Sequence, residues 1–106
     1  MHVPQPTRKL LKDLTFENTT PKEFTDVFAD HVRGGFALNT NLPRVKGLIE
    51  DLNFSFEELE ALRSIAWEGI HRQKNERKST DGAKQYSEVV QLIVETKTKF
   101  RKVHTV

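Results

Sequence analysis

The sequence predicts an all-α fold: a small helical bundle with a long C-terminal antiparallel helical hairpin. Three observations carry this. Helix-start signals recur, each followed by apolar residues at i, i+3, i+4 and i+7. No stretch alternates polar and apolar residues over five or more positions, so no sheet is expected. From Phe54 onward, two long amphipathic stretches are separated only by "STDGAKQ". So short a connection makes two helices antiparallel neighbours, each about 30 Å long at 1.5 Å per residue.

The elements follow in order. Residues 1–19 form an extended or partly helical segment: Pro4 and Pro6 favour extended backbone, and "TRKLLKDL" can hold one or two helical turns with Leu10, Leu11 and Leu14 on one side. Residues 20–53 hold two short helices. In "TTPKEFTDVFADHVRGG", Thr20 is an N-cap, Pro21 takes the first helical position and Glu23 completes a capping box. Phe24, Val27, Phe28, His31 and Val32 form a buried stripe, and the glycine pair Gly34–Gly35 stops the helix, giving 21–33. Asn41 is expected to cap the next helix, 43–52, with Pro43 just inside it. Its apolar face is Val45, Leu48, Ile49 and Leu52, and Gly47 weakens it by about 1 kcal/mol relative to Ala.

Residues 54–106 form the hairpin. Its first helix, 56–78, starts with a Ser55–Glu58 capping box and a Phe54–Leu59 staple. Phe56, Leu59, Ala66, Trp67 and Ile70 share one sector of the wheel, widened by Leu62 and Ile65, so Trp67 is expected in the core. From His71 to Ser79 every residue is polar. That end reads as an overhang not held by packing, and replacing its cations is expected to leave folding nearly unchanged. Asp81 is expected to cap the second helix, 81–103, whose face is Tyr86, Val89, Val90, Ile93 and Phe100, with Lys97 turning it wet.

Composition narrows the classes of function. The 106 residues, 36% apolar and 30% charged, suit one globular domain and are too few for two ordinary ones. There are no cysteines, which excludes disulfides, thiolate zinc sites and cysteine nucleophiles and fits a cytoplasmic setting. The start, "MHVPQPTRKLLKDL", lacks the apolar core of a signal peptide, and no run is long enough to span a membrane. The "NTT" and "NFS" sequons matter only in a secreted chain.

The chemistry-bearing residues are sparse. Net charge is only +2 and the pI about 9.0, so a phosphate ligand must be argued from local clusters. Arg72, Lys74, Arg77, Lys78 and Lys84 share the turn end of the hairpin; Lys97, Lys99, Arg101 and Lys102 lie at the other end, near Arg8, Lys9 and Lys12. These are either two phosphate-contacting patches or cations drawn to helix C-termini by unsatisfied carbonyls. "EGIH" sets Glu68 and His71 on one helical face, but one Glu-x-x-His cannot make a di-iron site, and a surface pair is expected. His31 reads as a half-buried core residue. His2 and His104 lie near the chain ends. No nucleophile, acid and base constellation and no phosphate loop is present, so neither an enzyme nor a cofactor or metal site is expected. Phe36 is either a plug between helices or an exposed anchor.

"FSFEELEALRSIAWEGIHRQKN…YSEVVQLIVETKTKF" resembles the helical hairpins common among small uncharacterised bacteriophage proteins, in which a capped "EELEAL" helix, a polar bend and a second amphipathic helix follow one another. The resemblance implies an accessory role in the cytoplasm of a host cell, binding a host or phage protein or nucleic acid. The resulting expectation is a non-enzymatic protein-binding module of the regulatory or inhibitor kind. Its surface would comprise Phe36, Leu38 and Leu42 of the linker and Arg72, Lys74, Arg77, Lys78 and Lys84 of the hairpin. The alternative is a nucleic-acid-binding protein using the basic ends. Helical pairs with half-polar faces also dimerise, so a homodimer belongs among the expected assemblies.

Overall fold

The computed structural model of the chain describes residues 10–104, with side chains from Leu10 to Lys99. Among these residues there are four α-helices and no strand: α1 (Pro21–Arg33), α2 (Leu42–Asp51), α3 (Phe56–Asn75) and α4 (Thr80–His104). Short 3-10 turns precede α1 (Leu11–Asp13) and α2 (Asn39–Asn41). The extended start expected from Pro4 and Pro6, together with His2, Arg8 and Lys9, lies outside the described residues. So do the side chains of Phe100, Arg101, Lys102 and His104.

The helix ends show why each element starts and stops. Thr20 Oγ1 accepts the Glu23 N–H at 3.2 Å, and Pro21 sits where no intrahelical donor is needed. At the far end Gly35 takes φ +79°. That left-handed residue lets the Phe36 N–H reach His31 O at 3.3 Å and the Gly35 N–H reach Val32 O at 3.0 Å, a Schellman closure. The Ser55–Glu58 box opens α3: Ser55 N–H donates to Glu58 Oε1 at 2.7 Å, and Glu58 N–H donates to Ser55 Oγ at 3.1 Å.

Three starts differ from expectation. Asn41 makes no side-chain cap, because the preceding 3-10 turn already leads the backbone into α2. Ser79, not Asp81, caps α4, accepting the Gly82 N–H on its hydroxyl at 2.9 Å; Asp81 instead lies in the first turn, where its charge faces the positive helix end. The N-terminal leucines do not share one side. A single 3-10 turn buries Leu11 and Leu14, leaves Leu10 exposed, and is pinned by Arg44 Nη1 donating to Leu14 O at 2.8 Å.

The antiparallel pair α3 and α4 shares the largest interface. α1 packs on α3 and α2 on α4, and the Leu11–Asp13 turn touches both short helices. One apolar cluster results, running from Leu11 and Leu14 through Phe24, Phe28, Val45 and Ile49 to Leu59, Leu62, Tyr86 and Ile93. Fully burying such a side chain contributes about 1.5–3 kcal/mol. Aromatic rings knit the centre. Phe24 stacks on Phe28 at 5.8 Å and meets Phe54 edge-on at 5.6 Å, and Phe28 meets Tyr86 edge-on at 5.9 Å. Gly69 lets the hairpin close here, since a Cβ at that position would lie 2.8 Å from Tyr86 ring carbons.

Two expectations are overturned. Trp67 is not core: it is 46% exposed. The polar end of α3 is not an overhang either. Gln73 is buried between Gly82 and the linker after α1, so the helix is held there by polar contacts. Lys97 is a milder case. Its stem is buried while its ammonium sits 3.6 Å from Glu60 and 4.8 Å from the centre of the Phe56 ring. Among the described residues, no helix is long and apolar enough to cross a membrane.

Candidate functional site

The linker after α1 is a clamped strap. Its carbonyls are taken in turn by side chains from α1, α3, α4 and the α3–α4 turn. Arg77 Nη2 donates to Gly34 O at 3.3 Å. Arg77 Nε and Gln73 Nε2 donate to Gly35 O at 3.0 and 3.1 Å. Tyr86 Oη donates to Phe36 O at 2.5 Å, and His31 Nε2 lies 2.9 Å from Ala37 O. Gln85 adds two bonds to Asn39, receiving its N–H at 2.7 Å and donating to its Oδ1 at 3.3 Å. Linker carbonyls that would otherwise need water are therefore satisfied internally. Burial pushes the Tyr86 hydroxyl above its ordinary value and keeps it a donor.

This geometry divides the residues expected to meet a partner. Leu38 is fully buried and serves the core, and Leu42 is partly buried and packs against it. Arg77 is spent on the strap. Arg72 is spent on Glu68 at 2.8 Å and Glu76 at 3.4 Å, and its pKa is raised first by the hydrogen bond to Glu68. Glu68 also lies 3.9 Å from Arg33, so its partners are arginines and not His71. Phe36, Lys74, Lys78 and Lys84 are exposed. The Phe36 ring lies against His31, with centroids 5.4 Å apart, so the strap presents it in a fixed position.

The structure also assembles a surface that the helical wheel did not show. α1 and α2 cover one side of the hairpin, and the other side of the α3–α4 seam is an open groove. Near the hairpin turn, Trp67, Ile70 and Lys74 of α3 face Thr80, Ala83, Lys84 and Ser87 of α4 across a shallow cleft. Further along, Arg63 faces Val94, Lys97 and Thr98. The His71 ring stacks beside the indole, with centroids 6.1 Å apart. Among the described residues, neither Lys74 nor Lys84 enters an ion pair. Among the described residues, no acidic side chain lines either part of the groove, and Glu60 pairs with Lys97 beside it.

Apolar character alone centres the α3 wheel on a sector that includes Trp67. The true buried face runs through Gly69 and Gln73, which carry no apolar signal. Including them rotates the face away from Trp67. Among the described residues, no group of three His, Asp or Glu side chains converges as metal ligands would.

The chain matches no protein-family model, no curated protein and no solved structure.

Proposed function

We propose that this chain is a non-enzymatic protein-binding module of the accessory or regulatory kind, and that it docks its partner on the open face of the α3–α4 hairpin. One observation carries the reading: the only tryptophan stands about half exposed in a cleft flanked by Lys74 and Lys84, on a helix pair whose other side carries α1 and α2. Indole rings at the centre of a shallow cleft commonly anchor protein contacts, and flanking cations serve as the rim. The scaffold beneath is rigid, because the strap and the aromatic cluster lock α1 to both hairpin helices. Preorganisation of that kind lowers the ordering cost of association.

The test is affinity capture from the cells the protein comes from, with nuclease present, comparing the wild type with Trp67→Ala and Phe36→Ala. The expected result is a protein retained by the wild type and by Phe36→Ala but lost with Trp67→Ala. Circular dichroism checks that the variants are folded. Retention of nucleic acid alone, in a parallel capture without nuclease, would contradict the reading. So would a partner indifferent to Trp67.

A further inference from the structure

We infer that the groove takes an acidic amphipathic segment of its partner, laid along the α3–α4 seam. Its apolar residues would contact Trp67 and Val94, and its carboxylates would meet Lys74, Lys84 and Arg63. The inference rests on the protein-binding reading above and adds the chemistry of the partner.

Charge segregation over the surface is the first support. Among the described residues, the two parts of the groove are lined by Arg63, Lys97, Lys74 and Lys84 and by no acid. The other shallow depressions carry carboxylates: Asp26 and Asp30 on α1, and Glu88 and Glu95 beside Lys46 on α2 and α4. Of these four depressions, the two along the hairpin seam are the ones lined by cations without a carboxylate. Of its cations, Lys97 already meets Glu60, whereas Lys74 and Lys84 have no carboxylate partner among the described residues. A ligand that brings carboxylates gains those contacts without breaking an existing pair.

The second support is dimension and spacing. Arg63 to Lys74 is eleven residues of α3, about 16 Å at 1.5 Å per residue. Trp67 and Val94 are exposed within that span. Three turns of a partner helix cover the distance, and such helices place apolar residues at i, i+3, i+4 and i+7 with charges beside them. A second copy docked groove to groove would set cations against cations, which costs affinity. A single-stranded nucleic acid could also stack on the indole. However, the exposed Val94 along the same seam suits an apolar side chain and offers no stacking surface for a second base.

The experiment uses the full chain, whose one tryptophan reports directly on the groove. Trp67 emission is followed while three probes are titrated: a fourteen-residue helical peptide of Leu and Glu at amphipathic spacing, the same peptide with every Glu replaced by Gln, and a dT oligonucleotide. The inference expects a saturable blue shift with the Glu peptide, at least tenfold tighter than with the Gln peptide. The Lys74→Glu, Lys84→Glu double variant, with an unchanged circular dichroism spectrum, should weaken the Glu peptide at least tenfold. Equal binding of the two peptides overturns the inference, and so does the absence of any response to the Glu peptide. Tighter binding of the oligonucleotide overturns it in favour of a phosphate ligand. A dimer in sedimentation that Trp67→Ala abolishes overturns it in favour of a second copy. In the capture experiment, a partner lost with Trp67→Ala but kept by the double lysine variant would overturn the acidic chemistry while leaving the protein-binding reading intact.

Discussion

At the scale of single residues, the cations of the hairpin turn divide by what they touch. Arg77 holds two linker carbonyls, whereas Lys74 and Lys84 hold nothing among the described residues. Arg77→Ala should therefore cost about 0.5–1.5 kcal/mol in a urea titration, the net worth of ordinary hydrogen bonds. The Lys74→Ala, Lys84→Ala pair should stay within about 0.5 kcal/mol of wild type. Equal costs would contradict the division. Tyr86 gives a sharper case. Tyr86→Phe leaves the Phe36 carbonyl without its donor and should cost about 0.5–1.5 kcal/mol. Because burial raises the folded-state pKa of this hydroxyl, the folded chain keeps a proton that the unfolded chain loses. Stability should then be level below the ordinary tyrosine pKa of about 10 and fall as the pH rises beyond it. In paired urea titrations at about pH 8 and pH 11, Tyr86→Phe should lose less stability on going to alkaline pH than wild type. An unchanged alkaline loss would remove Tyr86 from that role.

At the scale of elements, helix positions were legible because they rest on local chemistry. Thr20, Ser55 and the glycine pair after α1 mark their ends through bonds made within a few residues. The polar end of α3 was not legible, because what holds it lies far away in sequence. Gln73 and Arg77 reach carbonyls 38 and 42 residues earlier, and hydropathy carries no record of such bonds. The same limit hid the α3–α4 contact at Gly69, which looks like a weak helical residue until Tyr86 is seen against it. Two glycine variants separate these effects. Gly69→Ala drives a methyl into a ring already held by Phe28 and by the Phe36 carbonyl, and should destabilise by about 1–3 kcal/mol despite the better helix former. Gly47→Ala, with nothing within 4 Å of the added carbon, should stabilise α2 by about 0.5–1 kcal/mol. Denaturant midpoints for the pair check both signs.

At the scale of the whole molecule, the asymmetry of the bundle matters most. Two short helices and a strap cover one side of the hairpin, and the other side keeps Trp67, Val94 and a cationic lining in the open. The all-α class and the hairpin could be read from the sequence, but this asymmetry could not, since it depends on which side of α3 and α4 the short helices choose. For the same reason the residues expected to meet a partner separate: Leu38, Leu42, Arg72 and Arg77 make contacts within the fold, Phe36 and Lys78 are exposed away from the groove, and Lys74 and Lys84 stand in it with Trp67. The most direct measurement installs a photo-crosslinking phenylalanine at Ser87, inside the groove, and at Lys22, a highly exposed position on α1. Irradiation in the cells of origin should give a nuclease-resistant protein adduct from Ser87 and none from Lys22. Adducts from Lys22 but not from Ser87, or adducts that nuclease removes, would contradict docking on the open face of the hairpin.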